Sequence, residues 1–338
     1  MRVVLTTLLV VFNVAQSILA QVMVGENGRF PFQISSVVLV TEFTKLAFAA
    51  LLFARIAQTH HTRDDRVGKT LVCNMCIPAL LYTISNMLIY TNIALLGSTK
   101  FQLWSNIRVM MTAVLHRVLL KTPLRIIQWA AIVLLLVGLL MSKLPQCGDL
   151  ESTLDSMYTG IALVVVQTMC ASFAGVYQEL QFKNTTQSQK DVTQSPKDAT
   201  QSSKDATQNL MLKNLVLYVW TCLFSLLKYA SETDVYGDSG FFSGFTWTTW
   251  CSVMVYASYG QVVSFTLFYC DSIVKVFAGS CAVVVAMAVD VLWLGGVVVS
   301  NQIYGAVVVL LSVFFFYVEP SVLLSYDCDH RVVVFPQL

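Results

Sequence analysis

The chain is 338 residues long, 56% hydrophobic and only 12% charged, with a formal net charge of +2. A soluble domain carries about a quarter charged residues, so a soluble protein is excluded, and basic residues scattered among loops exclude a nucleic-acid partner. Apolar runs of roughly 18–25 residues recur along the whole chain, which is the length a helix needs to cross a bilayer core of about 30 Å. The composition is that of an all-α, multi-pass membrane protein embedded in a lipid bilayer.

Taken in order, the spans are expected near 3–24, 33–54, 72–94, 98–119, 126–143, 157–181, 210–230, 246–269, 274–298 and 301–324. The first begins like a signal peptide, with Arg2 before an apolar run, but that run reaches Val24. An h-region is about 7–15 residues, so a retained first span is expected. Span two carries Glu42 and Lys45 three residues apart, a spacing that lets them neutralise each other as a structural ion pair.

Residues 79–112 are apolar enough to cross a membrane, yet they contain Tyr82, Ser85, Asn86, Tyr90, Gln102, Ser105 and Arg108. On a helical period Phe101, Ser105, Arg108 and Thr112 share one face, and Tyr82, Ser85, Asn86 and Tyr90 another. A guanidinium within an apolar helix costs about 2.5–3.5 kcal/mol on insertion scales, so it belongs in a bundle interior or a water-filled path. Two polar stripes on neighbouring helices then outline a solvated cavity with a fixed positive charge.

In the second half, Glu179 lies near the end of span six, and Asn214 and Tyr218 are one turn apart in span seven. Gln261 and Ser264 follow in span eight, Lys275 beside Asp271 opens span nine, and Asp290 sits deep within it. Arg108 and Lys275 occupy the fourth span of each half, and two cations across a cavity suit a phosphate or diphosphate. Single uncharged polar residues in such helices commonly serve as interhelical hydrogen bonds.

Fifteen Lys and Arg fall on the loops and tails of one side and four on the other, placing both termini in the cytosol. Between spans six and seven, residues 186–209 repeat the unit Thr-Gln-Ser-x-Lys-Asp-Ala/Val, with balanced charge and little apolar content. Disorder is expected there. The nine cysteines fall mostly within spans and read as small core residues, Cys73-x-x-Cys76 included. His60, His61, Asp64 and Asp65 read as a solvated loop, with no metal expected. No Gly-rich phosphate loop, HExxH or nucleophile elbow occurs, so neither an enzyme nor a cofactor is expected.

Over residues 38–319 the chain resembles the nucleotide-sugar transporters of the drug/metabolite superfamily, in the branch that carries CMP-sialic acid, UDP-galactose and UDP-N-acetylglucosamine. The residues that carry the likeness are Thr41-Glu42-x-x-Lys45, Leu81-Tyr82 with Asn86, Leu124-x-x-x-Gln128-Trp129, Phe173-Ala174-Gly175-Val176-Tyr177-x-Glu179, Gly240-Phe241-Phe242-x-Gly244-Phe245-Thr246 and Asp271-x-Ile273-x-Lys275-x-Phe277-Ala278. The resemblance implies ten helices in two inverted five-helix halves, in a Golgi or ER membrane, exchanging a cytosolic nucleotide sugar for a lumenal nucleoside monophosphate. It implies phosphate contacts from Arg108 and Lys275. Tyr82 and Asn86 would lie near the nucleobase, with Asn214, Tyr218 and Ser264 lining the cavity. Phe101 and Ser105 stand where the family has tyrosines, Ser85-Asn86-Met87 where it has Gln-Asn-Asn, and Gly260-Gln261 where it has Gly-Gly.

The organisation expected on this basis is a first five-helix half at 1–143, a lumenal loop and sixth helix at 144–182, and a disordered cytosolic insert at 183–209. The remaining helices occupy 210–325, before a cytosolic tail at 326–338. A homodimer is compatible with this plan. Two other functions are compatible with the same residues: a diverged carrier of another organic anion or drug-like metabolite, and a membrane regulator that transports nothing.

Overall fold

The computed structural model describes residues 2–23, 31–59, 69–96, 98–142, 154–190, 196–236, 240–293 and 300–317. The expected 326–338 tail, the His60–Asp65 loop and the Asp290 side chain lie outside the described residues. In chain order the helices are α1 (Arg2–Met23), α2 (Ile34–Thr59), α3 (Lys69–Leu96), α4 (Ser98–Ser105), α5 (Arg108–Leu120) and α6 (Ile126–Ser142). They continue with α7 (Leu154–Lys190), α8 (Pro196–Tyr236), α9 (Trp247–Tyr269), α10 (Ser272–Trp293) and α11 (Ser300–Tyr317). All are helices because an apolar medium offers the backbone no partner but itself, which overrides the weak helix propensity of their many valines and isoleucines. Eight contain windows long and apolar enough to cross a membrane, whereas α6 has only 17 residues.

The expected fourth span is not one helix. It breaks at Asn106–Ile107, where Ile107 N–H donates to the Trp104 carbonyl at 3.1 Å and Val109 N–H to the Asn106 carbonyl at 3.0 Å. These three-residue steps are tighter than an α-turn. No Pro or Gly marks the break; its consequence is that Arg108 begins a new helix.

The insert also differs from the expected disorder. Helical backbone continues from α7 through Lys190 and resumes at Pro196, running into α8. Extending an existing helix adds a hydrogen bond for each residue fixed and needs no new nucleus. Ala, Gln and Lys are good helix formers, and proline suits the first turn, where its missing N–H has no partner to lose.

Cross-packing joins the helices α1–α6 to the helices α7–α11. α1 lies against α9 and α10, α2 against α8 and α9, α3 against α7 and α8, α5 against α7 and α10, and α6 against α11. The apolar interior follows these contacts. Val109 and Ala113 of α5 pack with Ile132, Leu135 and Leu139 of α6, Ile273 and Phe277 of α10, and Val309 of α11. A second cluster gathers Leu9, Phe182, Leu210, Met211, Val263, Leu267 and Ala278 from α1, α7, α8, α9 and α10.

Helices α6 and α11 meet backbone to backbone. A Cβ at Gly305 would lie 2.6 Å from the Gly138 carbonyl oxygen and 2.6 Å from the Ser142 nitrogen. Gly305→Ala is therefore expected to push the helices apart and destabilise the protein by about 1–3 kcal/mol, the usual range for overpacking. Gly279→Ala is the control, because a Cβ there meets nothing within 4 Å. Thermal unfolding in detergent should show a lower Tm for the first and an unchanged or higher one for the second.

The connection into α9 folds back on the entry to α2. Gly244 adopts φ +76°, and a Cβ there would lie 2.0 Å from the Pro31 carbonyl oxygen, so both the conformation and the space require glycine. Around it Phe242, Phe245 and Trp250 pack ring on ring at 5.4–6.0 Å, with Phe32 of the incoming segment 6.2 Å from Phe245. Thr246 and Thr249 then form a capping box that starts α9.

Candidate functional site

The site lies where α3, α5, α7, α8, α9 and α10 face one another. The α4–α5 break puts Arg108 in the first turn of α5, with its side chain solvent-accessible. It is near enough to Tyr82 of α3, Tyr259 of α9 and Lys275 of α10 to interact with all three electrostatically. With those neighbours the accessible surface of Arg108 faces a space between helices and not lipid. Lys275 is partly buried, and its ammonium sits 6.0 Å from the centre of the Tyr82 ring, a cation–π arrangement.

Neither cation is paired with a carboxylate among the described residues. The acidic groups nearby are committed elsewhere. Glu42 accepts from Lys45 at 2.7 Å and from the Thr221 hydroxyl at 2.8 Å. Asp271 caps α10 by accepting from Val274 N–H at 2.9 Å. Glu179, fully buried, lies 3.4 Å from His116 Nε2 and 2.5 Å from Lys183 Nζ, and accepts from Ser272 N–H at 2.7 Å. Two adjacent cations without counter-charge repel each other, and this arrangement favours an anionic ligand.

A chain of polar side chains runs along the site. Tyr82 Oη donates to Gln178 Oε1 at 3.1 Å, Gln178 Nε2 donates to Ser264 Oγ at 3.5 Å, and Ser264 Oγ lies 3.5 Å from Tyr218 Oη. Gly175 lies beside this chain: a Cβ there would sit 3.5 Å from the Tyr82 hydroxyl, an ordinary van der Waals contact. Thr112, one turn beyond Arg108, donates to Ser172 Oγ at 3.1 Å, and Ser172 in turn donates to the Arg108 carbonyl at 3.4 Å, anchoring α5 to α7. The α4–α5 break is thereby held in place.

Of the residues expected at the site, Tyr82, Arg108, Tyr218, Ser264 and Lys275 come together. Asn214 lies one turn before Tyr218, fully buried, and neither its amide oxygen nor its nitrogen has a partner among the described residues. Asn86 is elsewhere: it lines a small cleft with Ile34, Thr83, Ser225 and Lys228, between α2, α3 and α8. Phe101 is buried against Leu96 and Val164, in an apolar cluster with Ile89 and Trp104. Ser105 ends α4 and is partly buried. Gln178 and Tyr259 were not anticipated. Each is a single uncharged polar residue on its helix, and the sequence offers no signal that separates them from ordinary interhelical hydrogen bonds; Tyr259 also bonds Asn13 of α1.

The end of the site at which α5 and α9 finish and α10 starts is tightly packed. Glu179 ties α5, α7 and the first turn of α10 together there, and Thr207 Oγ1 lies 3.3 Å from Tyr269 Oη, joining α8 to α9. Phe182, Leu210 and Met211 at the same end are almost wholly buried.

Comparison with known proteins agrees with this architecture. A solved protein crystal structure superposes with a TM-score of 0.64 at 12% identity, covering 92% of this chain and 97% of that one, a likeness of fold. The CMP-sialic acid transporter 1 of Arabidopsis thaliana is 26% identical over 330 residues, covering 94% of this chain and 90% of its own length. The human UDP-N-acetylglucosamine transporter is 25% identical over 299 residues, covering 85% of this chain and 86% of its own. The family model described as nucleotide-sugar transporter matches residues 1–190 and 201–317. On that match, spanning nearly the whole helical bundle, the chain belongs to the nucleotide-sugar transporter family.

Proposed function

We propose that the chain exchanges a nucleotide sugar against the corresponding nucleoside monophosphate by alternating access, with a pyrimidine as the base. The observation that carries this reading is the pair of uncompensated cations, Arg108 and Lys275, beside the Tyr82 ring. A monophosphate leaving group and a sugar-linked phosphate both satisfy them, which is what an exchanger needs if one site is to serve both cargoes. The pyrimidine base rests on the relatives, whose names carry CMP and UDP sugars. Asn214, with both amide atoms unpartnered, has a donor and an acceptor to offer the base, and Tyr218 and Ser264 line the nucleoside.

The cross-packing supports two equivalent halves. Exchanging the first five passes with the last five, with α4 and α5 taken as one, leaves the set of neighbours described above unchanged. Such symmetry is the usual basis of alternating access. The excess of basic loop residues supports an orientation with the Glu179 end and both termini in the cytosol. In that orientation the protein would be closed toward the cytosol by the Glu179 junction, and opening it would admit the nucleotide sugar. A Golgi or ER membrane fits this cargo.

The test is counterflow in proteoliposomes preloaded with CMP, UMP or GMP and assayed for uptake of the labelled nucleotide. Uptake stimulated by CMP or UMP, and not by GMP, is the expected result. A folded wild-type protein that exchanges none of them would overturn the proposal.

A further inference from the structure

Gln178 is buried in α7 and occupies the centre of the hydrogen-bond chain, between Tyr82 of α3 and Ser264 of α9. A leucine or phenylalanine would fill the same space more simply, since burying an amide without partners is costly. What the amide adds is direction. Its oxygen can only accept and its nitrogen can only donate. The Tyr82 proton is therefore held on Gln178, leaving the Tyr82 oxygen to accept from another group. Ser264 receives a proton from Gln178, which leaves its own proton free for Tyr218 or for a ligand.

We propose that Gln178 is a positioning residue that sets the hydrogen-bond polarity of the site, so that Tyr82 presents an acceptor and Ser264 a donor to the nucleoside. The proposal rests on the reading of the cavity as a nucleotide site. The ligand class it selects is a nucleoside group with a donor close to an acceptor, such as the Watson–Crick edge of a pyrimidine or a ribose diol. With Tyr82 placed against the 4-position of the base, cytosine presents an amino donor and uracil a carbonyl acceptor, and only the amino group matches a tyrosine oxygen obliged to accept. Discrimination between the two bases is thus assigned to an amide that need not touch either of them.

The experiment measures KM for CMP and for UMP in counterflow by the wild type, Gln178→Leu, Tyr82→Phe and the double variant. Gln178→Met is a second probe with a more adaptable chain, and ligand-induced shifts in Tm verify that each variant is folded and binds. The KM ratio of UMP to CMP is expected to fall by about tenfold in Gln178→Leu, the worth of one buried hydrogen bond, with the maximal rate changed by less than about twofold. Gln178→Leu should have a smaller effect in the Tyr82→Phe background than in the wild type, because its bond to Tyr82 is already lost there and only its bond to Ser264 remains to be removed. A ratio unmoved in both Gln178 variants, or effects that multiply in the double, would overturn the inference and leave the exchange reading intact. Failure of the wild type to exchange either nucleotide would overturn both.

Discussion

Replacing Lys275 by alanine is expected to cut nucleotide exchange by about 10- to 100-fold, corresponding to the 1.5–3 kcal/mol of a hydrogen bond to a charged group. The same substitution is expected to leave the ligand-free protein as stable as before, or more so. The reason is the absence of a counter-charge. Removing one partner of a buried ion pair strands the other, but Lys275 has no carboxylate partner among the described residues and is repelled by Arg108. Its loss removes a desolvated charge and a repulsion, at the expense of one cation–π contact. Arg108→Ala should behave alike, losing in addition the bidentate geometry that a guanidinium offers a phosphate. Tm with and without CMP, measured beside counterflow, checks both signs. A large fall in ligand-free Tm would mean that the cation has a structural partner and is not held ready for a ligand.

Glu179 is expected to behave in the opposite way. Its carboxylate is fully buried and meets His116, Lys183 and the Ser272 N–H, which belong to three different helices. Glu179→Ala should destabilise the protein by about 3–5 kcal/mol, the cost of breaking a buried charged network from one side. Glu179→Gln keeps the shape and an acceptor for Ser272 while removing the charge, so the junction should loosen without collapse. Cys270 reports on it: the residue is 8% exposed and stands two positions before Ser272. In a background with the other cysteines replaced, maleimide labelling of Cys270 should be faster in Glu179→Gln than in the parent. An unchanged labelling rate would show that Glu179 does not hold that end closed.

The sequence made some of this legible for physical reasons. Apolar runs long enough to span a bilayer are conspicuous because the lipid admits few charges, and by the same logic Arg108 and Lys275 stand out as the exceptions. The α4–α5 break left no trace, since Asn106–Ile107 makes its turn through three-residue hydrogen bonds and not through Pro or Gly. Asn86 shares a helical face with Tyr82, one turn away on α3. The stripe is long, however, and what lies opposite changes along it: α7 beside Tyr82, but α2 and α8 beside Asn86. Gln178 stands in the sequence between two stronger signals, the motif glycine at 175 and the charge at 179. Its role depends on residues 96 and 86 positions away, a relation that no local pattern carries.

The seam between α6 and α11 has a mechanical implication as well. A Cβ at Gly138 would lie 3.1 Å from the Gly305 carbonyl oxygen, and one at Gly305 would lie 2.6 Å from the Gly138 carbonyl oxygen. Backbones this close leave no layer of side chains between the two helices to repack, and close-packed interiors transmit strain and do not deform smoothly. Whatever the rest of the bundle does, α6 and α11 are therefore expected to travel as one body.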